Sequence, residues 1–209
     1  MTASQDKNIH NQQPENRQYT LEQYFEFEYN AEGKHEFHNG LIVEMSYTSE
    51  NHGIIVHNLD VELGICLKSR RDCLVIPNDR MVYIPACNKT CYPDLLVVCG
   101  ERSYYQYSKN MKATLNPTIL IEVLSDSTKN HDKKGKRKCY RTIPSLKQYV
   151  IVDQETKFVE VYERGENNTW FSELYYDDED VIKIGDCQIL LKDIYHKVDL
   201  PEGEAKSDN

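Results

Sequence analysis

Two short runs constrain this chain more than anything else in it: LLVVC at 95–99 and TILIEVL at 118–124 are almost unbroken leucine, isoleucine and valine. A strand of that kind is apolar on both pleats, so both of its faces must be covered. The expected class is therefore α/β, with these strands at the centre of its sheet. Each run also carries a carboxylate. Asp94 directly precedes the first, and Glu122 interrupts the second.

Pro93 cannot donate to a sheet ladder, so it marks a strand start and fixes where Asp94 projects. In the second run Ile119, Ile121 and Val123 share one face, while Leu120, Glu122 and Leu124 share the other. A carboxylate on a face of leucines is costly unless it is paired or bound to a metal. Taken singly, each acid has an ordinary use: Asp94 as a turn cap, Glu122 as the partner of Arg141 or a tyrosine. Together they suit another chemistry. Between Lys129 and Arg141 stand seven basic residues against one acid, Asp132. Alone that stretch reads as a solvated helix face, but beside two carboxylates it brings an ammonium to them. Hard oxygen ligands select Mg²⁺ or Mn²⁺, and an ammonium near the attacking water offsets charge building on the phosphorane. Asp94 and Glu122 are the direct ligands in this reading, with the backbone carbonyl of Val123 as a third. Glycoside hydrolysis also uses a carboxylate pair, but it leaves the lysines unexplained.

The net charge of −9 argues against wholesale wrapping of nucleic acid. Because the cations are concentrated in one stretch, a phosphate partner would be met at one place. The seven cysteines are odd in number, scattered and mostly set among aliphatic residues, which reads as reduced, buried thiols. Cys87 and Cys91 flank a turn in CNKTC, but no second pair or suitably spaced histidine completes a zinc site. No segment approaches the roughly 20 apolar residues of a membrane span, and the polar start lacks the core of a signal peptide. The expected location is cytoplasmic.

Along the chain, 1–18 reads as a disordered leader, 19–199 as a single domain and 200–209 as a flexible tail. Thr20 caps a helix bearing Leu21, Tyr24, Phe25 and Tyr29 at helical spacing. Asn39-Gly40 is a hairpin turn. Ser49 or Asn51 opens a second helix with Ile54, Ile55, Asn58, Leu59, Leu63 and Leu67 on one face. Four extended segments follow: CLVIPNDRMVYIP, YPDLLVVC, PTILIEVLS and KQYVIVD. The polar and aromatic stretch after Cys99 reads as a loop. Ser127 or Thr128 caps the basic helix, which ends near Tyr140. A second hairpin and smaller strands complete a C-terminal β-hairpin region.

The stretches HEFHNGLIVEMS, ENHGIIVHNL, YPDLLVVC, NPTILIEVLSDST, IPSLKQYVIVD and KDIYHKV, with Asp132, Lys136, Tyr140 and the lone Trp170, make the pattern recognisable. From Tyr19 to Asp199 the chain resembles the PD-(D/E)XK nuclease superfamily, and within it the Uma-type family of restriction-like endonucleases. The resemblance implies a restriction-endonuclease-like mixed central sheet flanked by helices, a divalent-metal site and a nuclease-like centre. It makes Asp94 the motif aspartate and Glu122 the acid of the (D/E)XK element. Glu36 becomes the N-terminal acid, reaching the metal through water, although a surface strand charge is the plain alternative. His52 falls on a motif position where it would touch the phosphate or close the cleft, against the alternatives of a capping or core histidine. The superfamily's lysine belongs two residues after Glu122, but this chain has Leu124 there. The resemblance passes that role to the following helix, where Lys136 stands four residues from both Asp132 and Tyr140, with Lys133 and Lys134 one turn earlier. Lys133, Lys134, His52 and Tyr140 are the expected substrate contacts.

Two functions fit these residues. One is a metal-dependent endonuclease acting on DNA, for which a homodimer gives one site per strand. The other is a nucleic-acid-binding or regulatory scaffold that keeps the fold without effective chemistry.

Overall fold

The computed structural model describes residues 18–124 and 133–200, with side chains at 133 and 134 excepted. The leader up to residue 17, Asp132, the cap at Ser127 or Thr128 and the tail from 201 lie outside the described residues.

Thr20 caps α1 (Leu21–Asn30) through a capping box with Gln23. Strands β1 (His35–His38) and β2 (Leu41–Glu44) form the expected hairpin. Asn39 and Gly40 both have positive φ, 47° and 100°, which is why Asn-Gly suits this turn. Ser49, rather than Asn51, caps α2 (Glu50–Leu67) by accepting the His52 N–H at 3.1 Å. After α2 come β3 (Cys73–Pro77) and β4 (Val82–Ile84).

β3 and β4 are not one extended segment, as their sequence suggested, but belong to different sheets. Asn78 and Asp79 take φ of 39° and 57° between them. Short polar side chains tolerate this left-handed conformation, and two in succession redirect the chain.

The first sheet contains β6 (Leu95–Cys99), β9 (Ile119–Leu124), β10 (Gln148–Asp153), β11 (Val159–Arg164) and β12 (Trp170–Tyr175), in the order β12-β11-β10-β9-β6-β3. Only β9 and β10 pair in parallel within it, so the sheet is mixed, with β9 enclosed on both sides. The expected alternation holds. Ile119, Ile121 and Val123 pack with Ile55, Leu59 and Leu63 of α2, while Leu120 and Leu124 pack with Tyr140 and Ile143 on the opposite face.

A second six-stranded sheet was not anticipated. It contains β5 (Lys89–Cys91), β7 (Tyr104–Gln106) and β8 (Lys112–Thr114), in the order β2-β1-β5-β4-β8-β7. The stretch after Cys99, read as a loop, supplies β7 and β8. Three residues are too few for a periodic signal, and tertiary packing holds them instead: Tyr105 stacks on Phe25 and Ala113 is fully buried. Val82, Ile84 and Cys91 pack against Leu96 and Leu120, so this sheet lies on the first, while α1 covers it through Tyr24 and Phe25.

The cationic α3 spans Lys133–Tyr140. β13 (Val181–Ile184), β14 (Cys187–Leu190) and α4 (Leu191–Ile194) form the C-terminal region and pack on α2. Among the described residues no helix is long and apolar enough to cross a membrane.

The cysteines depart from the expected reduced state. Cys66–Cys187, Cys73–Cys99 and Cys87–Cys139 are disulfides, and Cys91 is the free thiol among the described residues. Their separations of 121, 26 and 52 residues hid the pairing, which only topology creates. Cys73 and Cys99, for example, are cross-strand partners of β3 and β6. Since Cys66–Cys187 closes a loop of 121 residues, the variant Cys66→Ala/Cys187→Ala is expected to lose about 2–4 kcal/mol of unfolding free energy. Urea denaturation without reductant measures this, and an unchanged midpoint would show that the bond contributes nothing.

Candidate active site

The register of β6 against β9 sets Leu95 opposite Ile121. Continued by one residue, it sets Asp94 opposite Glu122, and directly opposed residues of an antiparallel pair point to the same face. The backbone N–H of Val123 donates to Asp94 Oδ2 at 2.7 Å, locking the aspartate against the end of β9. His52, in the first turn of α2, is largely buried and places Nε2 3.1 Å from Asp94 Oδ1.

Two more elements meet here. Lys136 and Tyr140 lie one turn apart on α3, so they share a face. The Tyr140 hydroxyl donates to Glu122 Oε1 at 2.7 Å, and Lys136 Nζ stands 3.8 Å from the same oxygen. Lys136 Nζ also contacts Oε1 of Glu36, on β1, at 2.9 Å. His38 Nε2 donates to Glu36 Oε2 at 2.8 Å. The second sheet thus supplies Glu36 and His38, the first supplies Asp94 and Glu122, and α3 closes one end. A cleft of about 400 Å³ opens over them, with the 45–49 segment as one wall.

The electrostatics differ sharply between the two glutamates. Burial alone would raise Glu36, but the hydrogen bond from His38 and the Lys136 ammonium outweigh it and hold the carboxyl at about 2. Burial pushes Glu122 up to about 7; Lys136 opposes this, while the charges of Asp94 and Glu36 add to it. For Lys136, burial disfavours the charged form, yet Glu122 and Glu36 more than compensate and raise it well above the ordinary lysine range. The ammonium is therefore permanent at neutral pH.

Glu36 also gives the site a stability signature. Its folded pKa of about 2 lies below the ordinary value of 4.5. Its contribution is thus fully present above pH 4.5 and is lost as pH falls through 2, about 3 kcal/mol in all. Urea titrations between those limits should show a shallower pH dependence in Glu36→Gln than in wild type.

The structure brings together Asp94, Glu122, Val123, Lys136, Glu36, His52 and Tyr140. Tyr140 is fully buried, with its hydroxyl on Glu122. Lys133 and Lys134 lie on α3, but their side chains are outside the described set. Arg137, on α3, and Arg141, just past its end, turn away from the carboxylates, 4.9 Å from the Tyr162 ring and 5.4 Å from the Trp170 ring respectively. Sequence reasoning missed His38, Tyr92 and Cys91. Alternation along HEFH does put His38 on the face of Glu36, a signal that was there to use. Tyr92, whose N–H lies 3.4 Å from Glu36 Oε1, and Cys91 reach the site only through strand pairing.

Two carboxylates side by side, one of them buried with more negative charge around it than its lysine neutralises, form a donor set that fits a hard dication. The backbone of Val123 sits at the same edge of the cleft.

Known proteins share this arrangement of chain. An uncharacterized protein (sll1609) of Synechocystis sp. PCC 6803 is 32% identical over 151 residues, 72% of this chain and 84% of that one. A second from the same organism (slr1290) is 28% identical over 149 residues, 71% and 76% of the two chains. A crystal structure described as "a putative nuclease belonging to DUF820" from Anabaena variabilis superposes with a TM-score of 0.67 at 15% identity. That superposition covers 85% of this chain and 97% of the other, so the fold is shared. A family model described as "Uma2: Putative restriction endonuclease" matches residues 21–188, and the chain belongs to this family.

Proposed function

We propose that the protein is a divalent-metal-dependent endonuclease that hydrolyses phosphodiester bonds in DNA. The observation that carries this reading is the opposed pair Asp94 and Glu122 at the floor of the cleft, with Lys136 Nζ 3.8 Å from Glu122. Membership of the family and the shared fold support it.

Asp94 and Glu122 would hold Mg²⁺ or Mn²⁺, with the Val123 carbonyl as a further oxygen. Such an ion polarises the phosphate and makes bound water more acidic. The chain's own residues do the rest. Lys136 places a fixed positive charge beside the reacting phosphate, where it stabilises the attacking hydroxide and the phosphorane. Glu36 aims that ammonium, and His38 keeps Glu36 ionised and in place. Tyr140 orients Glu122 by its hydroxyl. The Val123 N–H and His52 orient Asp94, and His52 also borders the cleft, within reach of a bound phosphate. Lys133 and Lys134, whose backbone lies on the same helix, are the further substrate contacts of this reading. Two chains related by a two-fold would present one such centre to each strand of a duplex.

The test incubates purified protein with supercoiled plasmid, linear duplex and single-stranded DNA in Mg²⁺, Mn²⁺ or chelator. Cleavage that requires either ion is the expected result. Cleavage unaffected by chelator would overturn the reading, and salt-dependent binding without turnover in either ion would leave a nucleic-acid-binding scaffold.

A further inference from the structure

The strands that carry Glu36 assemble a second set of ligating atoms, softer than the carboxylate pair. β1 and β5 run antiparallel with Phe37 opposite Thr90. Continued by one residue, that register sets Glu36 across from Cys91, while His38 stands two residues along β1 on the same face as Glu36. One ligand atom from each of Glu36, His38 and Cys91 lies within 4.8 Å of the other two. Glu36 Oε2 and His38 Nε2 are already 2.8 Å apart. All three side chains stand on paired strands rather than on loops, so the set is held in position before any ligand arrives.

Among the described residues, nothing else uses this thiol. The remaining six cysteines are joined in disulfides, whereas Cys91 is free and fully buried between the two sheets, with Glu36 and Lys136 among its charged neighbours. Entry for an ion is through the cleft, which Glu36 and His38 line, and the His38 side chain is 24% exposed.

We propose that Glu36, His38 and Cys91 form a second cation site that takes Zn²⁺ in preference to Mg²⁺ or Mn²⁺, with a water completing the coordination. The donor set decides the metal. One thiolate, one imidazole and one carboxylate match the three protein ligands of an open tetrahedral zinc site, and soft sulfur excludes magnesium, which needs near-octahedral oxygen. On binding, Cys91 releases its thiol proton to solvent, and His38 coordinates as the neutral imidazole with its hydrogen on Nδ1. Glu36 binds through Oε2, the oxygen that His38 now holds, while Lys136 remains on Oε1. The ion therefore draws on the same carboxylate that anchors Lys136. Its effect on hydrolysis, unlike its binding, rests on the nuclease reading above.

The experiment titrates the full chain, without reductant, with Zn²⁺ against a chromophoric chelator and with Co²⁺ as a spectroscopic substitute. Wild type should bind a single Zn²⁺, and the Co²⁺ form should show thiolate-to-cobalt charge-transfer absorption. Cys91→Ala should abolish that absorption and weaken Zn²⁺ binding at least about tenfold. His38→Gln, at a partly exposed position, should weaken binding comparably with the fold intact by circular dichroism. Asp94→Asn should leave Zn²⁺ affinity within about twofold. Unchanged binding in both Cys91→Ala and His38→Gln would overturn the site, as would loss of binding in Asp94→Asn, which would put the ion on the carboxylate pair. None of these readouts needs DNA cleavage, so the site and the nuclease reading can fail separately.

Discussion

In Asp94→Ala, metal-dependent cleavage of plasmid is expected to fall by about 10³-fold or more, which is about 4 kcal/mol of lost transition-state stabilisation. The substitution removes one of two opposed carboxylates, and Glu122 alone is a poor grip for a hydrated dication. It also relieves Glu122 of a like charge that helps raise it to about 7, so the remaining acid ionises more readily even as activity disappears. Folding is a separate matter. The Val123 N–H and His52 both lose their acceptor, and a stranded buried donor costs about 1–3 kcal/mol. Asp94→Asn separates the two effects, because its amide oxygen can still accept from Val123 while the charge is gone. Plasmid nicking time courses set beside thermal melts decide the matter. An Asp94→Asn variant that melts like wild type and does not cut assigns the loss to chemistry, whereas wild-type cutting would remove Asp94 from the metal site.

Lys136→Met is expected to be costly in both activity and stability. Lys136 is the cation that holds Glu36 down and opposes the rise of Glu122, and all three side chains are largely buried. Breaking a buried ion pair by removing one partner costs about 3–5 kcal/mol, because the other charge stays behind without compensation. Cleavage should fall by about 10²–10³-fold as the charge beside the reacting phosphate is lost. The double variant Lys136→Met/Glu36→Gln supplies the control. Removing the stranded carboxylate should restore most of the lost stability without restoring cleavage, as read from urea midpoints and nicking rates. Recovery of both together would make Lys136 a structural cation only.

What could be read from the sequence was what depends on near neighbours. Alternation along 119–124 foretold the two faces of β9, and Asn39-Gly40 foretold the hairpin that delivers Glu36. Four-residue spacing foretold that Lys136 and Tyr140 share a face of α3. The second sheet was illegible because β5, β7 and β8 are three residues each and gain their stability from partners distant in sequence. The same limit hid the cysteine pairs and Cys91. CNKTC has no histidine at zinc spacing along the chain, yet strand pairing brings His38 from 53 residues away. In linear order the ligands had no pattern to find.

The acids of this centre are divided between two sheets that touch through Val82, Ile84, Leu96 and Leu120. The distance between Lys136's anchor and the carboxylate pair is thus set by how thick that apolar seam is, much as a spacer sets the gap of a clamp. Adding or deleting a methylene there, well away from any polar atom, would shift one jaw against the other. Activity in this protein should be tunable from a layer that never meets the substrate.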